Sequence, residues 1–270
     1  MSRYAHSFLC SFPLVALATF ACVASAQSTA SAPAAEVNPL IGSANGGNTF
    51  PGATLPFGML QWSPENTRGK HNRVAAPGGY QYGAMRIRGF SLTHLSGTGC
   101  RGASGDVPFM PVTLPITRSP SADGTDQYYA SDFNHTDEHA VPGYYRVRLD
   151  NGVSVELSAA LRSGIARFEF PAGKPANILI RVSDSEVGSS AADIQIDQLT
   201  RTVTGSVTSG NFCGYLAKAD QRSYYTLYLV IRAFRNHRHR ISAYGCWENQ
   251  SFCLCGQLFE GSQVHFLRFV

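Results

Sequence analysis

Apolar and polar positions alternate with period two through most of the second half of the chain. "YYRVRL" (Tyr144 to Leu149) and "VSVEL" (Val153 to Leu157) flank Asp150-Asn151-Gly152, a strong hairpin signal. "IARFEF" (Ile165 to Phe170) runs into a turn with Pro171 and Pro175 at its ends. "NILIRVS" (Asn177 to Ser183), "IQIDQL" (Ile194 to Leu199) and "TVTGSVT" (Thr202 to Thr208) follow, and "YYTLYLVIRAF" (Tyr224 to Phe234) is the longest. No stretch of about 12 residues or more keeps an apolar stripe at helical period. Short strands separated by turn residues predict an all-β chain built as a β-sandwich.

The first third differs. From Val37 to Pro111 the chain is rich in Gly and Pro, and its strands are too short to place from pattern alone. Long loops in a compact domain tend to be functional surfaces, so any chemistry is expected here. Ahead of it, Met1 to Ala26 has a basic start at Arg3, an apolar run from Phe8 to Val23, and Ala24-Ser25-Ala26 as a cleavage pattern. That is a secretory signal and not a membrane span, so the expected locations are periplasmic or secreted, with no membrane association after cleavage. A Ser/Ala-rich linker follows, over residues 27–36.

Charge changes the picture little. The net charge is +4, and part of it sits in "RNHRHR" (Arg235 to Arg240). No basic stripe with interleaved aromatics supports a nucleic-acid partner. Of the 7 cysteines, Cys10 and Cys22 leave with the signal. Cys100, Cys213, Cys246, Cys253 and Cys255 show neither a disulfide framework nor the paired spacing of a zinc site. A Cys100–Cys213 bridge is left open.

The densest chemistry is "FSLTHLSGTGC" (Phe90 to Cys100). Gly97-Thr98-Gly99-Cys100-Arg101-Gly102 fits G-x-G-x-x-G, but "ASGDVP" after it cannot carry the helix that a dinucleotide site needs. Neither Ser96 nor Ser104 stands in G-x-S-x-G. His94 and Cys100 lack a specific nucleophile–base geometry. Glycines serving a plain turn remain the simplest reading of the stretch taken alone.

Its context is more specific. "VNPLIG" (Val37 to Gly42), "GNTFPGATLPFGMLQWSP" (Gly47 to Pro64), "GGYQY" (Gly78 to Tyr82), "IRGFSLTHLSGTGC" (Ile87 to Cys100) and "GDVPFMP" (Gly105 to Pro111) occur in order. "PGYYRVRL" (Pro142 to Leu149), "ELSAALRSGIARFEFP" (Glu156 to Pro171) and "SYYTLYLVI" (Ser223 to Ile231) follow them. This succession resembles the N-terminal domain of glycoside hydrolase family 92, the calcium-dependent exo-acting α-mannosidases.

The resemblance implies a β-sandwich that packs, in the family, against a larger (α/α)6 barrel. Mannose from α-mannosides or N-glycans binds between the two. An inverting pair of carboxylates does the hydrolysis. The acid, the base and the calcium ligands belong to the barrel, which this chain lacks, so no catalytic residue, metal ligand or cofactor is assigned here. Phe50, Tyr80, Tyr82, His94, Ser96, Thr98, Cys100 and Asp106 lie in the matching blocks as sugar-facing side chains or loop supports. "NRVAAPGGYQY" (Asn72 to Tyr82) lacks the Trp-Asp stretch that many relatives carry, which bears on leaving-sugar preference. The expected organisation is a sandwich over residues 37–234 and an atypical tail over residues 235–270, exposed and poorly fitted to a core, as after a slipped frame. Two functions follow: a truncated α-mannosidase that supplies a pocket wall and is inactive alone, or a self-standing, non-catalytic carbohydrate-binding sandwich.

Overall fold

A computed structural model describes residues 33–66, 78–97, 105–117, 128–185, 189–210 and 224–234, with the backbone of 242–248, 251–259 and 264–269. Among these residues the only helix is a 3-10 turn at Pro33–Glu36, inside the expected linker. The rest of the regular structure is antiparallel strand. In chain order the strands are β1 (Ala53–Thr54), β2 (Gln61–Asn66), β3 (Arg86–Ser91), β4 (Phe109–Val112), β5 (Ser131–Val141), β6 (Tyr144–Leu149), β7 (Ser154–Ala159) and β8 (Gly164–Glu169). They continue as β9 (Ala176–Ile180), β10 (Ala191–Asp197), β11 (Thr202–Gly210), β12 (Tyr224–Phe234), β13 (Ser242–Glu248), β14 (Ser251–Phe259) and β15 (Val264–Phe269).

They form the two layers of a sandwich. One runs β10-β11-β12-β15-β8-β7-β6-β5; the other runs β3-β4-β9-β14-β13, with β2 on the far side of β3. Strand β5 belongs to both. Its first residues pair with β3, through Asp132 with Arg86, and its last residues pair with β6, through Val141 with Tyr144. A register shift between Phe133 and Glu138 makes the change of layer, as bulges do at sandwich corners.

Alternation explains the core. In β6 the pattern "YYRVRL" buries Tyr145, Val147 and Leu149 and exposes Arg146 and Arg148. Its turn into β7 is the expected one: Gly152 takes φ 94°, and the Asn151 side chain accepts from the Val153 N–H at 3.0 Å. Trp62, Phe90, Phe109, Tyr145 and Phe168 are fully buried between the layers. Phe90 of one layer meets Tyr145 of the other, with ring centroids 6.5 Å apart. Trp62 stands edge-on to Phe109 and donates its indole N–H to the Phe90 carbonyl at 3.1 Å, so its polar atom is satisfied inside the core.

The C-terminal segment, over β13 to β15, is strand. Strand β15 lies between β8 and β12, pairing Phe269 with Gly164 on one side and with Ile231 on the other. Strand β14 pairs with β9 and β13. Strands β14 and β15 therefore occupy interior positions, one in each layer, and β13 forms an edge, pairings that no local pattern announces.

Candidate functional site

The Gly-rich loops of the first third meet at one end of the sandwich and are tied to one another by backbone. The Tyr82 N–H donates to the Ser43 carbonyl at 2.8 Å, Gly97 to Asn48 at 2.8 Å, and Gly105 to Thr93 at 2.8 Å. Asn66, at the end of β2, accepts from the Gln81 N–H at 2.6 Å and donates to the Ala84 carbonyl at 2.7 Å.

His94 sits beneath this end and is 2% exposed. Its Nδ1 is 2.9 Å from the Gln61 carbonyl, which can only accept, so Nδ1 carries the proton. Nε2 then accepts from the Ser91 hydroxyl at 3.2 Å. Burial lowers the imidazole pKa, with Glu65 and Asp106 opposing, and the ring is neutral. Phe50 covers it, half-buried, with ring centroids 4.9 Å apart. Gly79 lies so close that a β-carbon there would stand 3.2 Å from the imidazole.

A second cluster surrounds Glu138, whose side chain is fully buried. The Tyr80 hydroxyl is 2.9 Å from each carboxylate oxygen, and the Tyr145 hydroxyl donates to Oε1 at 2.7 Å. His135 Nδ1 meets Oε2 at 2.6 Å. Burial and the neighbouring carboxylate hold both phenols well above the usual range, so they stay donors. The other nitrogen of His135, Nε2, donates to the Tyr82 carbonyl at 2.7 Å, and the two rings stack with centroids 3.8 Å apart and planes 2° from parallel. In a regular strand residues three apart face opposite sides. The register shift in β5 is what lets His135 and Glu138 meet.

Asp106 forms the third centre and is fully buried. Its Oδ2 accepts from the Thr93 hydroxyl at 2.6 Å and from the Tyr225 hydroxyl, and its N–H donates back to Thr93 at 3.0 Å. Oδ1 has no donor among the described residues. Next to it, Val107 is held at φ 53°, a costly conformation for a β-branched residue, with its N–H on the Asp184 carbonyl. Arg88 bridges Glu65 and Asp184, each at 2.7 Å, and fixes that corner from below.

The eight residues singled out in the sequence thus separate by exposure. Tyr82 and Ser96 are exposed and Phe50 is half-buried. Tyr80, His94 and Asp106 are buried, each bonded to protein groups. Thr98, Cys100 and Cys213 lie outside the described residues. Sequence reasoning missed His135, Glu138, Thr93 and Tyr225, which hold the rim in place. Among the described residues no three His, Cys, Asp or Glu side chains are placed to hold a metal ion. No helix among them is long and apolar enough to cross a membrane.

Comparison with known proteins supplies the context. Over 178 residues the chain is 30% identical to a protein of Arthroderma benhamiae described as an uncharacterized secreted glycosidase, covering 64% of this chain and 22% of that protein. An α-mannosidase of family 92 from Bacteroides thetaiotaomicron, solved in complex with mannoimidazole, superposes with a TM-score of 0.68 at 28% identity, over 88% of this chain and 32% of that one. A family 92 inverting mannosidase from the same organism shares the fold, with a TM-score of 0.59 at 20% identity, over 86% of this chain and 30% of that one. The chain spans about a fifth to a third of the length of these relatives. Residues 36–264 match the glycosyl hydrolase family 92 N-terminal domain, and the chain belongs to that family.

Proposed function

We propose that this chain, exported through the Met1–Ala26 signal, supplies the N-terminal wall of a mannoside pocket in a family 92 glycosidase and does not hydrolyse by itself. The observation that carries this reading is the convergence of loops 37–50, 78–84 and 92–97 on one end of the sandwich. There they are locked to one another while Tyr82 and Ser96 remain exposed. Locked loops present polar and aromatic groups without an ordering cost at binding. Tyr80, His94 and Asp106 act as braces beneath that surface.

The acidic residues of this end do not make a hydrolytic pair. Glu138 is saturated by three donors, and Glu65 is bound by Arg88. Both side chains are fully buried, so neither faces a ligand at this surface to protonate a leaving oxygen or activate water. Calcium finds no cage here either: Asp106 keeps one oxygen without a donor, but it belongs to no group of three His, Cys, Asp or Glu side chains placed for a metal among the described residues. On this reading any calcium is held by the rest of the glycosidase.

Purified mature chain is tested against an α-linked mannobiose, with added calcium and with a chelator. No mannose should be released, and saturation-transfer NMR should detect methyl α-D-mannopyranoside bound in the millimolar range. Turnover that a chelator abolishes would overturn the assignment of a wall without catalytic groups. One observation favours a second reading, a sandwich that binds carbohydrate on its own: β14 and β15 are paired within both layers. A cooperative melt together with mannoside binding by the isolated chain would support it.

A further inference from the structure

We propose that His135 and Glu138 are positioning residues for a carbohydrate platform, Tyr82, whose free ring face takes the apolar face of a mannoside; this rests on the mannoside reading above. Tyr82 is the exposed aromatic of the locked rim, 40% accessible, yet it is held at three points. Its N–H is bonded to Ser43, its carbonyl receives His135 Nε2, and one ring face is covered by the parallel imidazole. An exposed tyrosine serving only to cover the surface needs no such restraint. A ring fixed on one side and open on the other is what stacking on a sugar requires, because the orientation cost is met before the ligand arrives.

The restraint leads inward. His135 is fixed by Glu138, and Glu138 by the hydroxyls of Tyr80 and Tyr145, all in the core. Phe133 stands edge-on to the imidazole, with centroids 5.3 Å apart, and blocks its swing on that side. His135 lies behind the Tyr82 ring. It acts through Tyr82 and does not touch the sugar.

The experiment compares wild type, Tyr82→Phe, Tyr82→Ala and His135→Ala for binding of methyl α-D-mannopyranoside by NMR titration, with a thermal melt of each. Tyr82→Phe should bind like wild type, since the ring and its backbone bonds remain. Tyr82→Ala and His135→Ala should both bind about tenfold more weakly, the scale of one aromatic contact. The aromatic resonances that shift when wild type binds mannoside should be those lost in Tyr82→Phe and broadened in His135→Ala. If His135→Ala does not fold, His135→Phe keeps a stacked ring without either hydrogen bond and should show the same broadening. If neither folds, His135 is a folding residue first and the proposal falls. Wild-type affinity in a folded His135→Ala, with Tyr82→Ala weakened, also overturns the positioning role but leaves mannoside binding intact. Wild type that binds no mannoside removes the mannoside reading, and the platform with it.

Discussion

The imidazole of His94 lies with Nδ1 2.9 Å from the main-chain oxygen of Gln61, a bond that favours the charged ring, but its burial outweighs this and couples its protonation to folding. Because burial lowers the pKa below 6.5, the folded chain keeps the ring neutral where the unfolded chain takes up a proton. Stability from this group is therefore complete above about pH 6.5 and is lost as the pH falls below that, by up to about 1.4 kcal/mol per pH unit. Urea midpoints at pH 7.5, 6.5 and 5.5 should fall in wild type below 6.5. They should fall less steeply in His94→Gln, which cannot titrate. Equal slopes in the two proteins would show that His94 is not the group responsible.

Leu55-Pro56-Phe57-Gly58 is a turn closed by the Gly58 N–H on the Leu55 carbonyl at 3.0 Å, with Pro56 second and Phe57 third at φ 59°. That third position favours Gly or Asn. Phe57 is also fully exposed, so no burial offsets the left-handed backbone. Phe57→Asn should raise the stability of the isolated chain by about 1 kcal/mol, the scale of the relieved conformation. Chemical denaturation measures it, and an unchanged or lower midpoint would mean that the ring packs against the protein in solution.

The glycines of "GGYQY" have separate physical reasons. A β-carbon on Gly78 would stand 2.9 Å from the Asn48 carbonyl, while Gly79 has φ +78° and faces the imidazole of His94. Gly79→Ala combines an unfavourable backbone with a crowded ring and should cost about 2 kcal/mol. Because the imidazole has to give way, its burial should loosen, so the pH dependence of the urea midpoint should weaken along with the stability. A stable Gly79→Ala with unaltered pH dependence would contradict the contact.

Strands whose partners share their alternation are legible from the sequence alone. Tyr144–Leu149 and Tyr224–Phe234 have the ends that the pattern predicts. Strand β2 is hidden because Ser63, Glu65 and Asn66 are buried along with Trp62, which erases the alternation. Strand β5 is hidden because two of its bonded positions are His135 and Glu138, polar groups bonded to each other and to Tyr82 and Tyr80, which are far away in sequence. Tyr80 stands 58 residues from Glu138. Buried polar residues satisfied by distant donors look like surface in a local window. The site follows the same division. The Gly-rich blocks mark the rim, but which of their residues are braces depends on contacts that only the fold brings together.

Strands β13 to β15 offer the sharpest contrast, since their sequence has little turn grammar and yet β14 and β15 each lie between two strands, one in each layer, with β13 at an edge. Removing them would open β8 along residues 164–169, β12 along residues 231–234, and β9 along the edge now paired with β14. Unpaired edges of apolar strands recruit other chains, and β9 "ANILI" is buried at every position. A chain truncated after Arg240 should therefore melt without cooperativity and associate in solution. In limited proteolysis of the longer protein, the first cuts should not fall within β14 or β15. Size-exclusion chromatography and a thermal melt of the truncated chain decide the matter. A monomeric, cooperatively melting product would mean that β13 to β15 are dispensable and that the sandwich is already held together by β2 to β12.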